Sequence, residues 1–310
     1  MFLFIAIDKT NSHLSFSGLL GASLPTMALH APDFISTGTC LGGVMDKIDF
    51  PLFLPATRLE RLAKAVTSGA DAVIIDLEDS VNGDQKDAMR QAVETTLAGT
   101  EIAVPLILRI NDSNTSEHAK DILACKDMRL DAIMLPKAEN PDDCKQIAAR
   151  TGKPVIALIE SARGLANANS IAASCARMAF GSIDYAADLG IAHEGHALLH
   201  ARANLVLAAR LAGQTPPIDG VTAEIQNMQK IITEGRHGRE MGFRGKLLIH
   251  PAQIRPAREG FTPTDEEVSW ASRVMASAAQ NNGVANVDGA MVDAPVIKQA
   301  QSILDTRLST

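Results

Sequence analysis

The chain has 310 residues and a net charge of −7 at pH 7, which excludes the wide basic surface needed to bind nucleic acid. Apolar residues make up 46% of the sequence and aromatic residues only 4%, so the core must be built from alanine and branched aliphatic side chains, as in buried parallel strands. No apolar run is long enough to span a bilayer. We therefore expect a cytoplasmic protein that binds neither nucleic acid nor a membrane.

The first 45 residues differ from the rest of the chain. The segment from Met1 to Ile7 is apolar, but it lacks a basic start and is shorter than the core of a secretory signal. A cleaved signal peptide is the alternative to a retained segment. We predict that residues 1–45 are an N-terminal extension, and that this extension is disordered.

Short apolar runs alternate with amphipathic stretches from Pro51 onward, which is the pattern of repeated βα units. We predict eight strands: Leu52–Leu54, Ala72–Asp76, Val104–Arg109, Ala132–Leu135, Val155–Ile159, Arg177–Phe180, a weak strand near Ile218–Val221, and Lys246–Ile249. Eight strands with helical crossovers favour an α/β fold of the (β/α)8 TIM-barrel type over residues 46–255. An open doubly wound sheet is the alternative, but no GxGxxG turn follows the first strand.

The C-terminal residues 256–310 are predicted to form a short helical extension. Thr264 begins a capping box with Glu267 that opens one helix. A Gly/Asn-rich break over residues 281–289 precedes a final helix from about Pro295. This segment is too short to form an independent domain.

Polar residues end five consecutive predicted strands, and in a TIM barrel those ends form the active-site rim. Glu160 ends the fifth strand and Asp184 follows the sixth. Two carboxylates with open positions beside them suit Mg²⁺, which retains water or substrate oxygens among its ligands. The sequence therefore predicts one Mg²⁺ site formed by Glu160 and Asp184.

Arg109, at the end of the third strand, is a permanent cation suited to an oxyanion or an enolate. The alternative is a structural ion pair with Asp76 or Glu78. Arg58 and Arg61 are spaced to share a helix face near the rim, where they suit phosphate groups.

Two other features are less specific. His193, His196 and His200 resemble a metal-binding cluster but do not form HExxH. Lys137 is a candidate Schiff-base lysine, but two carboxylates on the following strands are better explained by a metal, so we interpret Lys137 as a rim or structural cation.

Seven segments in the order and spacing of one known family carry a resemblance over residues 51–260. They are Phe53-Leu54-Pro55-Ala56 with Arg58 and Arg61, the run from Ser68 to Val81, Leu108-Arg109-Ile110-Asn111, Leu135-Pro136-Lys137, the run from Ile159 to Gly164, Phe180-Gly181 through Gly190, and the run from Ile249 to Ile254. The chain resembles the citrate lyase β-subunit-like proteins of the HpcH/HpaI aldolase superfamily, in their citramalyl-CoA and malyl-CoA lyase group. The resemblance implies a barrel with Glu160 and Asp184 as Mg²⁺ ligands and Arg109 as the cation at the substrate.

The same resemblance implies an acid/base residue near the C-terminus. Gly289-Ala290-Met291-Val292-Asp293 fits a family pattern in which the aspartate serves a neighbouring subunit, so Asp293 is the candidate and a homo-oligomer (trimer or hexamer) is expected. A helix N-cap is the other interpretation of Asp293. We assign contacts to substrate and coenzyme A to Arg58, Arg61, Pro55, Ala56, Asp76, Glu78, Gly181 and Ser182.

The resulting hypothesis is a Mg²⁺-dependent carbon–carbon lyase that cleaves a 3-hydroxyacyl-CoA thioester of citramalyl-CoA or malyl-CoA type. The products would be acetyl-CoA and a 2-oxo acid such as pyruvate. One alternative is the β subunit of a larger citrate lyase that acts on an acyl-carrier-protein thioester. Another is a coenzyme A-independent 2-oxo acid aldolase, and a third is a barrel that only binds its ligand.

Overall fold

The computed structural model describes residues 42–99, 102–280 and 285–309. Its centre is a curled sheet of six parallel strands that pair in chain order, β1 to β6. These strands are β1 Pro51–Pro55, β2 Ala72–Asp76, β3 Leu106–Arg109, β4 Ala132–Leu135, β5 Val155–Ile159 and β6 Arg177–Phe180. The first six predicted strands are therefore confirmed in position, type and order.

Helices connect the strands and continue beyond them. They are α1 Gly42–Met45, α2 Leu62–Val66, α3 Lys86–Gly99, α4 Ser116–Cys125, α5 Pro141–Thr151, α6 Ala162–Ala166, α7 Ala168–Ala172, α8 Ser182–Leu189, α9 Leu199–Leu211, α10 Met228–Glu240, α11 Ile254–Phe261, α12 Asp265–Gln280 and α13 Ala294–Ser309, with short 3-10 helices at Ala56–Arg61, Gly83–Gln85 and Pro251–Gln253. Of the predicted N-terminal extension, residues 1–41 lie outside the described residues. Residues 42–45 form α1, and Met45 is buried in the core.

Both faces of the sheet are buried, because side chains alternate between two separate apolar clusters. In β2, Val73 and Ile75 pack with residues of the surrounding helices. Ile74 instead packs with residues such as Met134 of β4 and Leu158 of β5, in a cluster to which the crossover helices contribute no buried residue. The second cluster therefore fills the inside of the curl with packed side chains.

The seventh and eighth predicted strands are present only as isolated bridges. Ile218 pairs with Ala179 of β6, Asp219 with Lys246, and Leu248 with Leu52 of β1, all in parallel orientation. Two features of the sequence limit how far these segments can extend toward their amino ends. Residues 216 and 217 are both proline and lack backbone N–H donors, and residue 245 is a glycine at φ +91.

The C-terminal extension contains two strands as well as helices, so the prediction of a purely helical extension is wrong. Between α12 and α13 lies an antiparallel hairpin of β7 Ala285–Val287 and β8 Ala290–Val292. Asp288 and Gly289 form its two-residue turn with φ values of 53 and 84, the signature of an Asp-Gly hairpin turn. The prediction treated this segment as a break because its strands are only three residues long.

The described cysteines, Cys125, Cys144 and Cys175, are all free. Cys125 and Cys144 are fully buried in the core between sheet and helices and pack there with apolar side chains. Among the residues that the structure describes, no helix is both long enough and apolar enough to cross a membrane.

Candidate active site

A cavity of about 290 Å³ opens at the carboxyl ends of the strands. Its lining residues are Phe53, Pro55, Asp76, Arg109, Leu158, Glu160, Phe180, Gly181, Ser182, Ile183, Asp184, Val221, Leu247 and Ile249. Glu160 and Asp184 face this one cavity, as the predicted metal site requires. Active sites of βα barrels lie at this end of the sheet.

Glu160, directly after β5, is 4% exposed. Its Oε1 atom accepts a hydrogen bond of 2.7 Å from the backbone N–H of Lys137, whereas Oε2 is buried without a hydrogen-bond partner among the described residues. Burial, reinforced by the negative charges of Glu78 and Asp184 and partly offset by the Lys137 N–H, raises the pKa of Glu160 to about 8. A buried carboxylate oxygen that lacks a partner is costly unless a ligand completes it.

Gly181 makes room for that carboxylate. A Cβ atom at this position would lie 2.4 Å from both Cβ and Oε2 of Glu160, closer than any side chain tolerates. Asp184 is in the first turn of α8, three residues later, with its side chain exposed at the cavity. The turn from β6 into α8 therefore accommodates one carboxylate and supplies the other.

Arg109 is paired with Asp76 on the adjacent strand. Its Nε and Nη2 atoms donate hydrogen bonds of 2.7 and 2.9 Å to the two carboxylate oxygens of Asp76, and its guanidinium lies 5.1 Å from the ring centre of Phe53. Burial alone would favour neutral Asp76, but the hydrogen bonds and charge of Arg109 hold the pKa of that carboxyl below its ordinary value. The alternative anticipated for Arg109, an ion pair with Asp76 or Glu78, is thus present inside the cavity.

Lys137 connects this ion pair to Glu160. Its Nζ atom donates a 2.5 Å hydrogen bond to Glu78, which lies 3.1 Å from Nη1 of Arg109, while its backbone N–H holds Glu160. Lys137 is also a non-glycine residue at φ 44, a conformation that costs free energy and that clusters at functional sites. The sequence interpretation of Lys137 as a rim cation missed this backbone role, because nothing in the residue type signals a left-handed conformation.

The grouped charges fit a divalent cation. Five carboxylates are gathered here, namely Asp76, Glu78, Asp79, Glu160 and Asp184. Among the described residues, the cations paired with these carboxylates are Arg109 and Lys137, and Lys86 lies nearby with its Nζ atom on the carbonyl oxygen of Glu78. When all are ionised, negative charge is in excess, and the vacant Oε2 of Glu160 is the kind of hard oxygen donor that Mg²⁺ prefers.

The remaining predicted contact residues divide into two groups. Pro55, Gly181 and Ser182 line the cavity, and Ala56 is buried beside Pro55. Arg58 and Arg61 do not line the cavity. Both side chains are more than half exposed, and Nη1 of Arg58 and Nε of Arg61 lie 3.7 and 3.8 Å from Oε1 of Glu60. Both residues belong to a 3-10 helix in which Arg58 has non-helical dihedral angles.

Asp293 lies in the C-terminal segment and is not part of the cavity lining. It precedes α13, where its Oδ1 atom accepts a 3.3 Å hydrogen bond from the N–H of Val296 and its backbone oxygen accepts one from Ile297. Within a single chain Asp293 therefore acts as a helix N-cap.

One of the three histidines that resembled a metal cluster, His193, has a different contact. Over residues 42–99, 102–280 and 285–309, no three His, Cys, Asp or Glu side chains are grouped as metal ligands. His193 instead lies 2.9 Å, through Nε2, from Oγ of Ser182 in the cavity wall. The sequence signal for this contact was absent, because the two residues are 11 positions apart on a helix start and a loop.

The profile of the HpcH/HpaI aldolase/citrate lyase family matches residues 50–251. The chain belongs to this family. A citrate lyase subunit beta-like protein of Mycobacterium tuberculosis is 37% identical over 262 residues, covering 82% of this chain and 93% of the relative. A (3S)-malyl-CoA thioesterase of Cereibacter sphaeroides is 35% identical over 251 residues, covering 78% and 88%.

The solved structure of CitE from Mycobacterium tuberculosis in complex with magnesium, acetoacetate and coenzyme A superimposes with a TM-score of 0.76. It is 34% identical, and the match covers 84% of this chain and 97% of CitE.

Proposed function

We propose that this protein is a Mg²⁺-dependent carbon–carbon lyase that cleaves a 3-hydroxyacyl-CoA thioester of citramalyl-CoA or malyl-CoA type. The products are acetyl-CoA and a 2-oxo acid such as pyruvate. The observation that carries the proposal is the buried Oε2 atom of Glu160, which has no partner among the described residues and shares its cavity with Asp184 and Arg109. Family membership supports it independently.

Glu160 and Asp184 would hold the Mg²⁺ ion. When bound, Mg²⁺ supplies a chelating centre for the hydroxyl and carboxylate oxygens of the substrate and a positive charge that favours the 2-oxo acid. The hydrogen bond from Lys137 holds Oε1 of Glu160, so the carboxylate is oriented before the ion arrives. Such fixed ligands lose little freedom on binding.

Arg109 stabilises negative charge that develops on the thioester as the carbon–carbon bond breaks. Asp76 fixes the plane of the guanidinium through two hydrogen bonds, so Arg109 needs no reorganisation during the reaction. The ring of Phe53 lies in the cavity wall and covers one face of the Arg109 guanidinium. It keeps water from that face, and exclusion of water strengthens the attraction between the guanidinium and the developing negative charge.

The enolate of acetyl-CoA must be protonated on carbon, and Asp293 is our candidate acid for that step. Asp293 caps α13 in its own chain, so the proposal requires it to reach the cavity of a neighbouring subunit. A homo-oligomer, trimer or hexamer, would follow. The barrel would be closed as a complete (β/α)8 structure by the bridges from Ile218 to Ala179 and from Leu248 to Leu52.

For coenzyme A, we propose that Arg58 and Arg61 contact its phosphates, because both side chains are exposed and follow β1. Their present partner is the single carboxylate of Glu60. Exposed pairs of this kind contribute little to stability, so a phosphate can replace Glu60 at small cost.

The test is a panel of thioesters assayed with purified protein, first with Mg²⁺ and then with EDTA. Citramalyl-CoA, malyl-CoA and citryl-CoA are compared with free citramalate, malate and citrate. Release of a 2-oxo acid with equimolar acetyl-CoA, abolished by EDTA, is the expected result. Cleavage of the free acids would instead support the aldolase, and turnover only of an acyl-carrier-protein thioester would support the citrate lyase subunit.

Hydrolysis of the thioester is a second candidate, favoured by the similarity to the (3S)-malyl-CoA thioesterase. The two reactions differ in their sulfur product. A lyase releases acetyl-CoA and no free thiol, whereas a thioesterase releases the thiol of coenzyme A and no 2-oxo acid. A thiol reagent and a 2-oxo acid assay on the same sample therefore distinguish them.

A further inference from the structure

Ser182 is a cavity residue with a histidine behind it. Its side chain is 1% exposed, and its Oγ atom lies 2.9 Å from Nε2 of His193. Ser182 begins α8, whereas His193 lies in the loop before α9. The serine hydroxyl therefore links a residue of the cavity lining to the imidazole.

The backbone at Gly220 makes room for this arrangement. A Cβ atom on Gly220 would lie 2.1 Å from Oγ and 2.6 Å from Cβ of Ser182, so a larger residue would displace the hydroxyl. The carbonyl of Gly220 accepts a 2.6 Å hydrogen bond from Nζ of the buried Lys246. The position of the Ser182 hydroxyl is thus determined by packing as well as by its contact with His193.

His193 is half-buried among charged groups of both signs. The charged groups that act on it are Glu234 and Lys230 of α10, Glu224 in the loop before α10, Arg202 of α9, and Lys246 of the eighth predicted strand. Burial, reinforced by the three cations and opposed by Glu234, lowers the pKa of His193 below its ordinary value. The imidazole is therefore neutral, and able to accept a proton, at neutral pH.

Among the described residues of one chain that line the cavity, the other titratable groups already have partners or proposed roles. The titratable residues that line the cavity are Asp76, Arg109, Glu160 and Asp184. The first two are paired with each other, and the proposed function uses the last two to hold Mg²⁺. Lyase cleavage nevertheless requires the hydroxyl proton of the 3-hydroxyacyl group to leave.

We propose that Ser182 and His193 together accept that proton, an inference that rests on the proposed lyase function. The substrate O–H bond breaks as its proton passes to Oγ of Ser182, whose own proton passes to Nε2 of His193. The oxygen's electron pair forms the carbonyl of the 2-oxo acid, the carbon–carbon bond breaks, and its electron pair goes to the thioester enolate. After the 2-oxo acid leaves, the Nε2 proton returns through Oγ of Ser182 to solvent in the cavity, which restores the neutral imidazole with its proton on Nδ1.

In this relay Ser182 is the residue that touches substrate, and His193 acts through it. Proton transfer from Ser182 to His193 requires the His193 tautomer that carries its proton on Nδ1. In that tautomer the serine hydroxyl donates to Nε2, and its oxygen lone pairs are free to accept a proton from the substrate. A hydrogen bond that merely fastens the loop of residues 190–198 to α8 is the competing explanation.

Three variants separate the two explanations: Ser182→Ala, His193→Ala and His193→Gln. Glutamine keeps a hydrogen-bonding group near Ser182 but cannot accept a proton, so it preserves a structural contact and removes the relay. His196→Ala, an exposed position three residues along the same loop, is the matched control. Each protein is checked for its melting temperature and for stabilisation by Mg²⁺ before it is assayed.

The expected result is a fall in kcat of roughly 10²-fold or more in all three variants, with KM changed by less than about threefold, because a general base contributes on that scale. In His193→Ala, the fall in kcat toward low pH, which is the acidic limb of the pH profile, should disappear. Added imidazole should restore part of the kcat of His193→Ala and none of the kcat of Ser182→Ala. His196→Ala should behave as wild type.

The relay is refuted if His193→Gln folds, responds to Mg²⁺ and retains kcat within about threefold with the acidic limb unchanged. A failure of the proposed function is a different observation, because wild-type protein would then cleave none of the thioesters in the panel. If His193→Ala does not fold, the glutamine variant and Ser182→Ala still decide the question.

Discussion

The backbone N–H of Lys137 donates a 2.7 Å hydrogen bond to Oε1 of Glu160. This contact joins the end of β4 to the end of β5 and leaves Oε2 as the oxygen available to a ligand. Lys137 reaches Glu160 with φ at 44, so part of the folding free energy is spent on placing one donor at the site. The orientation of the carboxylate is therefore a property of the fold, present before any metal binds.

The first prediction concerns the space beside that carboxylate. Gly181→Ala introduces a Cβ atom 2.4 Å from Oε2 of Glu160, and Glu160 must move away. We expect Mg²⁺ affinity to fall by about 10- to 100-fold, the scale at which disturbed ligand geometry acts, as measured by isothermal titration calorimetry. Gly83→Ala is the control, because nothing lies within 4 Å of its Cβ position, and it should bind Mg²⁺ as wild type. Equal affinity in both variants would argue against Glu160 as a ligand.

The second prediction is a pH dependence of stability in the metal-free protein. Burial raises the pKa of Glu160 from 4.5 to about 8, so between these pH values the unfolded chain has lost a proton that the folded chain retains. Stability therefore decreases as pH rises through this range, and the loss is complete above about pH 8. Glu160→Gln removes this contribution, and we expect it to stabilise the metal-free protein at pH 8 by on the order of 1–3 kcal/mol.

The measurement is urea denaturation of both proteins at pH 5 and pH 8 in EDTA. Added Mg²⁺ should stabilise wild type at pH 8 and leave Glu160→Gln unchanged, since a ligand stabilises only the protein that binds it. Wild-type affinity should weaken as pH falls below about 8, because a proton then competes with the metal. A Glu160→Gln protein that is less stable than wild type at pH 8 would contradict the assignment.

The third prediction distinguishes the catalytic from the structural role of Arg109. Arg109→Lys keeps the charge but loses the two-pronged contact with Asp76. We expect stability to fall by about 1–2 kcal/mol and kcat by ~10²-fold. Arg90→Lys is the matched control, since Arg90 is equally buried and its Nε lies 2.7 Å from Asp121 away from the cavity. It should lose similar stability and keep kcat.

Much of this site was predictable, because residue type and strand end determine where Glu160, Asp184 and Arg109 lie. What could not be predicted depends on backbone conformation and on contacts between distant loops. The left-handed Lys137 and the approach of His193 to Ser182 leave no periodic trace in the sequence. The Asp288-Gly289 turn did leave one, but strands of three residues are too short to show alternation. The predicted seventh and eighth strands are each preceded directly by residues that cannot extend them, two prolines before Ile218 and a positive-φ glycine before Lys246.

The fourth prediction tests the basic residues after β1. Replacing Arg58 and Arg61 together by alanine should raise KM for the thioester by about 3- to 10-fold and leave kcat unchanged, because phosphate contacts far from the reacting carbon contribute uniform binding. The control is a double alanine variant of Arg150 and Arg210, in the last turns of α5 and α9. These helix ends lie at the opposite, amino ends of the strands. If both double variants change KM alike, general charge and not a specific contact is responsible.

The fifth prediction concerns Asp293 and a neighbouring subunit. Asp293→Asn keeps the N-cap of α13, since asparagine caps helices as well as aspartate does, so the fold should be retained while lyase activity falls by at least ~10²-fold. The two variants, Asp293→Asn and Glu160→Gln, are mixed in equal amounts, unfolded and reassembled. If Asp293 serves a neighbouring chain, some cavities then combine the intact Glu160 of an Asp293→Asn chain with the intact Asp293 of a Glu160→Gln chain. Activity should then return to about a quarter of wild type for random pairing of adjacent subunits. Neither variant reassembled alone should recover, and a mixture that remains inactive while forming mixed oligomers would place the acid elsewhere in the protein.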